Sequence, residues 1–297
     1  MVNFEFILNA ISLGSLYALL ALGLVIVYGI LKMVNFAYGE LIMFGGYMLY
    51  LIGTFFNPPW LITAILAVLG AVLVSYLTEL VAFRRIREKS LVALLITSFA
   101  ISSLLQNGAL LVISPRAKAV ILPNIFSTSV SLWGNALPLR NLLTILTTFA
   151  VLIGLSVLLR YTVLGIALRA AADNFRMVRM LGIPANLVIS SAFVISGAIA
   201  GIVSIFWVGR TASVTPTIGT GPLLIAFVAT VIGGMRRLEG AVVGGFIYGL
   251  VFSLIGVLLP QSLLDYREAF MFLFVIIILL WRPEGLIKAK YAEERVG

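Results

Sequence analysis

Chemistry in a protein needs polar side chains at a workable spacing, and this sequence offers few of them. It has no His and no Cys, which removes the commonest general base, proton relay and metal ligand together with disulfide and thiol chemistry. No nucleophile–base pair, metal-ligand cluster or phosphate loop can be read along it. The Gly-Gly pairs follow no strand of a βαβ unit, so they are not dinucleotide fingerprints. What remains is two carboxylates set in apolar runs, Glu40 and Glu79, and one polar stripe. Ser98, Ser102 and Gln106 are spaced by four and share a helix face, with Thr97 and Ser103 beside them. Such a face hydrogen-bonds to a neighbouring helix or lines a wet cavity. Two isolated carboxylates without His do not make a proton relay. The chain therefore reads as no enzyme, with no cofactor or metal of its own. Any energy from ATP must enter through another polypeptide.

Ionisable residues inside apolar spans are functional candidates by default. Glu40 follows Asn35-Phe36-Ala37-Tyr38-Gly39, a Gly-containing break between two apolar runs. It is either a helix-start charge favoured by the dipole or part of a solute path. Glu79 stands about a turn and a half before Arg84 and reads as an interfacial carboxylate screened by the basic loop Arg84 to Lys89. Gly45-Gly46 lies in the run after Glu40. Near the other end, Gly233-Gly234 leads through Arg236-Arg237-Leu238-Glu239-Gly240 to Gly244-Gly245. These two Gly-interrupted pairs of runs are either a weak internal repeat with discontinuous helices beside a substrate path or close helix packing through small residues. The candidate path residues are accordingly Asn35, Glu40, Gly45, Gly46, Ser98, Ser102, Gln106, Gly233 and Gly234.

The elements that must position these residues are membrane spans. Of 297 residues, 62% are hydrophobic and only 10% charged, with mean hydropathy +1.18. A soluble domain carries about 25% charged residues to cover its surface, and lipid needs no such cover. Open sheet is excluded in lipid because its free backbone groups stay unsatisfied. A barrel would alternate in polarity, and Phe270 to Trp281 does not. Apolar runs fall at 6–31, 37–56, 60–83, 91–113, 141–160, 187–208, 222–235, 240–259 and 267–282. The run 222–235 is too short to cross easily and reads as half of a broken or re-entrant element. The expected fold is an all-α integral membrane protein of eight to nine transmembrane helices in one domain over 1–297. Residues 1–31 read as a retained first span, since the start lacks a basic n-region and a clear cleavage site.

The net charge of +9 does not indicate nucleic acid, whose binders cluster basic residues on one solvated face. Here Lys and Arg gather at the ends of apolar runs, where they set orientation. With the Arg84 loop in the cytoplasm, only Arg116, Lys118, Arg140, Arg210 and Arg267 lie outside. This expectation puts the N-terminus outside and the C-terminus inside. Residues 114–140, with Pro115, Pro123 and Pro138, read as an external loop bearing a short surface helix or strand pair. Residues 161–186 form the largest cytoplasmic loop. Within it Gly165 to Pro184 is rich in helix formers and stops at Gly182 and Pro184, a normal helix ending. It is too charged and too short to span. It is either an interfacial helix that merely connects spans or a helix that fits a groove of a soluble partner.

At these residues the chain resembles the permease subunits of ATP-binding-cassette importers for branched-chain amino acids, a group that also includes urea and short-chain amide permeases. The likeness runs from about Leu13 to Gly285. It is carried by Gly14 to Leu19, Val34-Asn35-Phe36-Ala37-Tyr38-Gly39-Glu40, Leu168 to Asn174, Met180-Leu181-Gly182-Ile183, Gly240 to Gly245, and Arg282-Pro283-Glu284-Gly285. Where the family usually has His, Tyr38 stands, so no role of that imidazole carries over. Gly233-Gly234-Met235-Arg236-Arg237 departs from the usual Gly-Gly-x-Gly linker. The resemblance implies that 161–186 is a coupling loop, with Arg169, Ala172, Asp173, Asn174, Met177, Leu181 and Gly182 against an ATPase subunit. It also implies a second related permease, or a homodimer, and a periplasmic or extracellular substrate-binding protein. Location in the cell inner (cytoplasmic) membrane, contact with lipid, and no nucleic acid complete the set of expected partners.

Overall fold

A computed structural model describes residues 4–56, 58–87, 89–132, 135–235, 237–283 and 285–287. Each apolar run becomes a helix, because only a helix satisfies a spanning segment's backbone within itself. The helices are α1 (Phe4–Leu31), α2 (Tyr38–Phe55), α3 (Trp60–Thr78), α4 (Leu91–Val112), α5 (Leu139–Tyr161), α6 (Val163–Met180), α7 (Ala185–Thr211), α8 (Thr220–Gly233), α9 (Leu238–Leu258) and α10 (Arg267–Trp281). α3 runs on through a π turn at Glu79–Phe83 into Arg84–Ile86. Prolines at 59, 138 and 184 stand directly before α3, α5 and α7. At a helix start a missing N–H costs nothing. Ser90 caps α4 by accepting from the Ala93 N–H at 3.1 Å.

Among the described residues, six helices are long and apolar enough to cross a membrane: α1, α3 with its extension, α4, α5, α7 and α9. α2, α8 and α10 are shorter, with 18, 14 and 15 residues. α8 at about 1.5 Å per residue reaches only some 21 Å, as the short run 222–235 predicts. The loop after α4 contains a short 3₁₀ turn at Asn124–Phe126 and the antiparallel strand pair β2 (Ser129–Leu132) and β3 (Asn135–Pro138). Its first strand, β1 (Lys118–Ala119), pairs with β4 (Ser213–Val214) beyond α7. Phe126 is buried and meets Trp60 edge-on at 5.6 Å, which ties this loop to the start of α3.

α1 is the axis of the bundle, with 89% of its spanning window buried, against 11% for α4 and 17% for α5. Small residues allow the close packing around it. Gly245 of α9 lies on the Ala18 backbone and Gly249 on that of Gly14, while Gly197 and Gly201 of α7 lie on Val72 and Val68 of α3. In lipid, helix association rests on this kind of van der Waals contact. The outer faces of α4 and α5 present Val92, Ile96, Leu104, Leu146 and Ile153, the residue types that lipid or another span would cover.

Candidate functional site

The break between α1 and α2 is built locally. Asn35 Oδ1 accepts the Ala37 N–H at 3.1 Å, and the Tyr38 N–H donates to the Asn35 carbonyl at 3.2 Å. This side-chain turn starts α2 and sets Glu40 in its first turn. Glu40 is 2% exposed. Ser102 Oγ on α4 donates to its Oε1 at 3.0 Å, while Oε2 has no hydrogen-bond partner among the described residues. Phe36 and Phe99 stack at 4.0 Å and bracket the same junction of the break with α4. Thus Asn35, Glu40 and Ser102, three of the sequence-derived path residues, form one cluster. Ser98 lies one turn before Ser102, buried, its hydroxyl bonded back to the Leu95 carbonyl at 2.8 Å. Gln106 lies one turn beyond and is half-buried.

The starts of two helices meet here. A Cβ on Gly39 would stand 2.5 Å from the Gly219 carbonyl oxygen, and one on Gly219 would stand 2.1 Å from that of Gly39. Only glycine allows the breaks before α2 and α8 to touch. The other glycine candidates do packing work. Gly45 faces Ser204 and Gly46 faces Val208 and Val214. Gly233 lies on the Gly240 backbone, and its carbonyl accepts from the Ile287 N–H at 3.1 Å. Gly234 turns the chain there with φ of 105°. These last two stand a helix length from Gly219, roughly 20 Å at the usual rise. Arg236 lies outside the described residues.

Glu79 has the arginine neighbours that its spacing from Arg84 suggests. The arginines are its partners, but its side chain is fully buried. Arg84 binds it through Nη2 to Oε2 at 3.0 Å and Nε to Oε1 at 3.3 Å, with Arg87 Nη1 3.6 Å from Oε1. Ser190 Oγ of α7 donates to Oε2 at 2.8 Å, and Arg87 also donates to Asn186. The π turn that begins at Glu79 shifts the helix register so that Arg84, five residues on, folds back over the carboxylate. Spacing alone suggested a surface pair because Ser190 and Asn186, which close the site, lie over a hundred residues away in sequence.

The amphipathic segment of the largest loop is α6. Thr162 caps it, accepting from the Gly165 N–H at 3.0 Å. It ends in a paired closure, with the Ile183 N–H donating to the Val178 carbonyl at 3.3 Å and the Gly182 N–H to that of Arg179 at 3.2 Å. Gly182 has φ of 80°, the left-handed position such an ending requires. Leu168, Ala171 and Val178 form the buried stripe against α1, α5 and α7. Met177, Met180 and Leu181 are exposed, at 60%, 82% and 72%. Arg169 and Asp173 are also exposed, Ala172 is half-buried, and the Asn174 side chain lies outside the described residues. Arg169, Ala172 and Asp173 line a cavity beside α1, and Met177 and Leu181 are not in its lining.

One polar cluster escaped the sequence reading. Arg210 Nη2 donates to Ser12 Oγ at 2.8 Å and reaches Asn141 Oδ1 at 3.5 Å, joining α7, α1 and α5. Its members share no local spacing, so no pattern could have flagged them.

The sequence comparisons agree with this architecture. The family model described as branched-chain amino acid transport system / permease component matches residues 6–280. A high-affinity branched-chain amino acid transport system permease protein, BraD of Pseudomonas aeruginosa, is 32% identical over 293 residues, covering 95% of this chain and 94% of its own. The LivH permease protein of Escherichia coli K12 is 30% identical over 293 residues, covering 94% and 93%. A probable LivH of Methanocaldococcus jannaschii is 32% identical over 296 residues, covering 94% and 90%. No solved structure matches the chain. With a family model spanning nearly the whole chain and bacterial and archaeal relatives matched almost end to end, the protein belongs to the permease-component family of branched-chain amino acid transport systems.

Proposed function

We propose that the chain is the membrane-embedded permease subunit of an ATP-binding-cassette importer, moving branched-chain or related amino acids inward by alternating access. Urea and short amides are the next substrates in line. ATP is bound and hydrolysed on separate subunits, a second permease or a second copy of this chain completes the path, and a periplasmic or extracellular binding protein delivers the solute. The chain sits in the cell inner membrane with its N-terminus outside and α6 on the cytoplasmic side, as the Lys/Arg distribution favours. The chain passes from side to side nine times, with α8 and the segment before it making one of these crossings as a broken element that faces the break before α2.

The observation that carries this reading is α6. It is anchored along Leu168, Ala171 and Val178 and capped at both ends, yet it leaves Met177, Met180 and Leu181 uncovered. An apolar helix end held out from the bundle suits insertion into a groove of a soluble partner. Movement of that partner would reach α1 and α7 through the buried stripe. Residues 161–186 thus act as a coupling loop within a single transmembrane domain.

Affinity capture of the tagged chain from gently solubilised membranes tests the assembly. Recovery of ATP-binding subunits is expected; a chain recovered alone that still moves solute without ATP would refute the importer. In the reconstituted complex, Met177→Pro and Arg169→Glu are expected to leave ATP hydrolysis measurable while uptake falls at least about tenfold. Full uptake by both variants would remove α6 from coupling.

A further inference from the structure

Beneath α6 lies a half-open cavity of about 280 Å³, lined by α1, α5, α6 and the start of α9. Its wall is apolar, with Val25, Ile26 and Ile30 of α1 facing Leu155 and Leu159 of α5. Its rim is charged with both signs: Arg169 and Asp173, one turn apart on α6, and Arg237 and Glu239 where α9 begins. Among the described residues no ion pair joins any of these four to another side chain. A second cavity of about 210 Å³ shares Leu155, Leu159, Arg169 and Glu239 and extends the space along α5.

We propose that this cavity is a binding site for a free zwitterionic amino acid with a branched apolar side chain. A bare acyl chain would need the apolar wall but not the rim, a solvated rim would need no wall, and a zwitterionic phospholipid, which has both ends, would hold the site against free leucine in the nanodisc. The combination fits a ligand with a hydrocarbon end, a carboxylate for the guanidinium groups of Arg169 and Arg237, and an ammonium for Asp173 and Glu239. The size lies at the small end of ligand pockets, roughly 300–1,000 Å³, as suits a ligand no larger than one amino acid. Because the rim spans α6 and α9, occupancy joins the coupling helix to a span. The choice of a branched-chain ligand rests on the proposed function, but the site does not depend on transport or on ATPase subunits.

Gly29 provides a clean perturbation. It lies in the wall, and a Cβ there would meet only the Ala172 Cβ, at 4.0 Å, so Gly29→Leu fills the cavity without striking backbone. The test is photolabelling of the full chain in lipid nanodiscs with a diazirine analogue of leucine, followed by mass spectrometry of the labelled peptides. Label is expected within 25–30 or 168–173, displaced by excess leucine but not by leucinamide or 4-methylpentanoate, and reduced at least about tenfold in Gly29→Leu. Should that variant fail to yield folded protein, Glu239→Gln at the exposed rim is expected to weaken leucine competition by a similar factor. Absence of saturable label, label that persists in a folded Gly29→Leu chain, or equal competition by the singly charged analogues would overturn the site. If Met177→Pro, which lies outside the cavity, leaves uptake intact while the label behaves as expected, coupling through α6 falls and the cavity stands. The converse result would remove the cavity and leave coupling.

Discussion

Two carboxylates are buried in this bundle, and their surroundings are opposite. Glu79 is fully enclosed with Arg84, Arg87 and Ser190 around both oxygens. Glu40 is nearly as buried, yet only Ser102 serves it, on one oxygen. A buried charge without a partner costs several kcal/mol, and removing one partner of an existing buried pair costs about 3–5 kcal/mol. Glu79 therefore belongs to the structure that holds α3 to α7. Glu40 stands where two helix starts meet, and one of its oxygens has no hydrogen-bond partner among the described residues. The difference shows that burial alone does not tell one intramembrane carboxylate from another; the state of the second oxygen separates the two.

The largest expected effect is at the satisfied site. Glu79→Gln leaves Arg84 and Arg87 without their charge partner and should destabilise the chain by about 3–5 kcal/mol. Membrane yield and thermal unfolding of the purified chain measure this. A Glu79→Gln chain of wild-type stability would erase the distinction between the two sites. Next, Glu40→Gln should leave yield and unfolding temperature unchanged, since no cation loses a partner, while uptake falls at least about tenfold. If it prevents membrane insertion or assembly instead, Glu40 is a structural residue like Glu79. The smallest effects come from the two serines. Ser190→Ala should cost about 1 kcal/mol of stability with transport intact per folded molecule. Ser102→Ala should alter uptake more than stability. Equal stability losses for both serines would mean that the two carboxylates are held in the same way.

Much of this was readable along the chain because its signals are local. Nine apolar runs became helices within a few residues of the expected ends, since lipid leaves an apolar segment no other way to satisfy its backbone. The short run at 222–235, the capped helix after Thr162, its stop at Gly182 and the strand pair in the loop after α4 were legible for the same reason. So was the four-residue spacing that set Ser98, Ser102 and Gln106 on one face. The site was legible only in part. Glu40 and Ser102 could be named as candidates, but not as partners, because they are 62 positions apart. Gly45, Gly46, Gly233 and Gly234 had the composition of a broken path but are occupied with close packing.

What the sequence determined by itself is the helical, multi-spanning character, the ends of the helices and the presence of an amphipathic helix that cannot cross. These follow from composition, periodicity and capping over a few turns. Tertiary structure alone decided that the Glu79 pair is closed off by Ser190 and that Glu40 meets only Ser102, on one oxygen. It alone brought Gly39 against Gly219 and joined Ser12, Asn141 and Arg210. It also formed a half-open, two-signed cavity under α6. Each of these depends on which helices are neighbours, and among nearly uniform apolar faces that choice is made by small-residue contacts whose partners lie far apart in the chain.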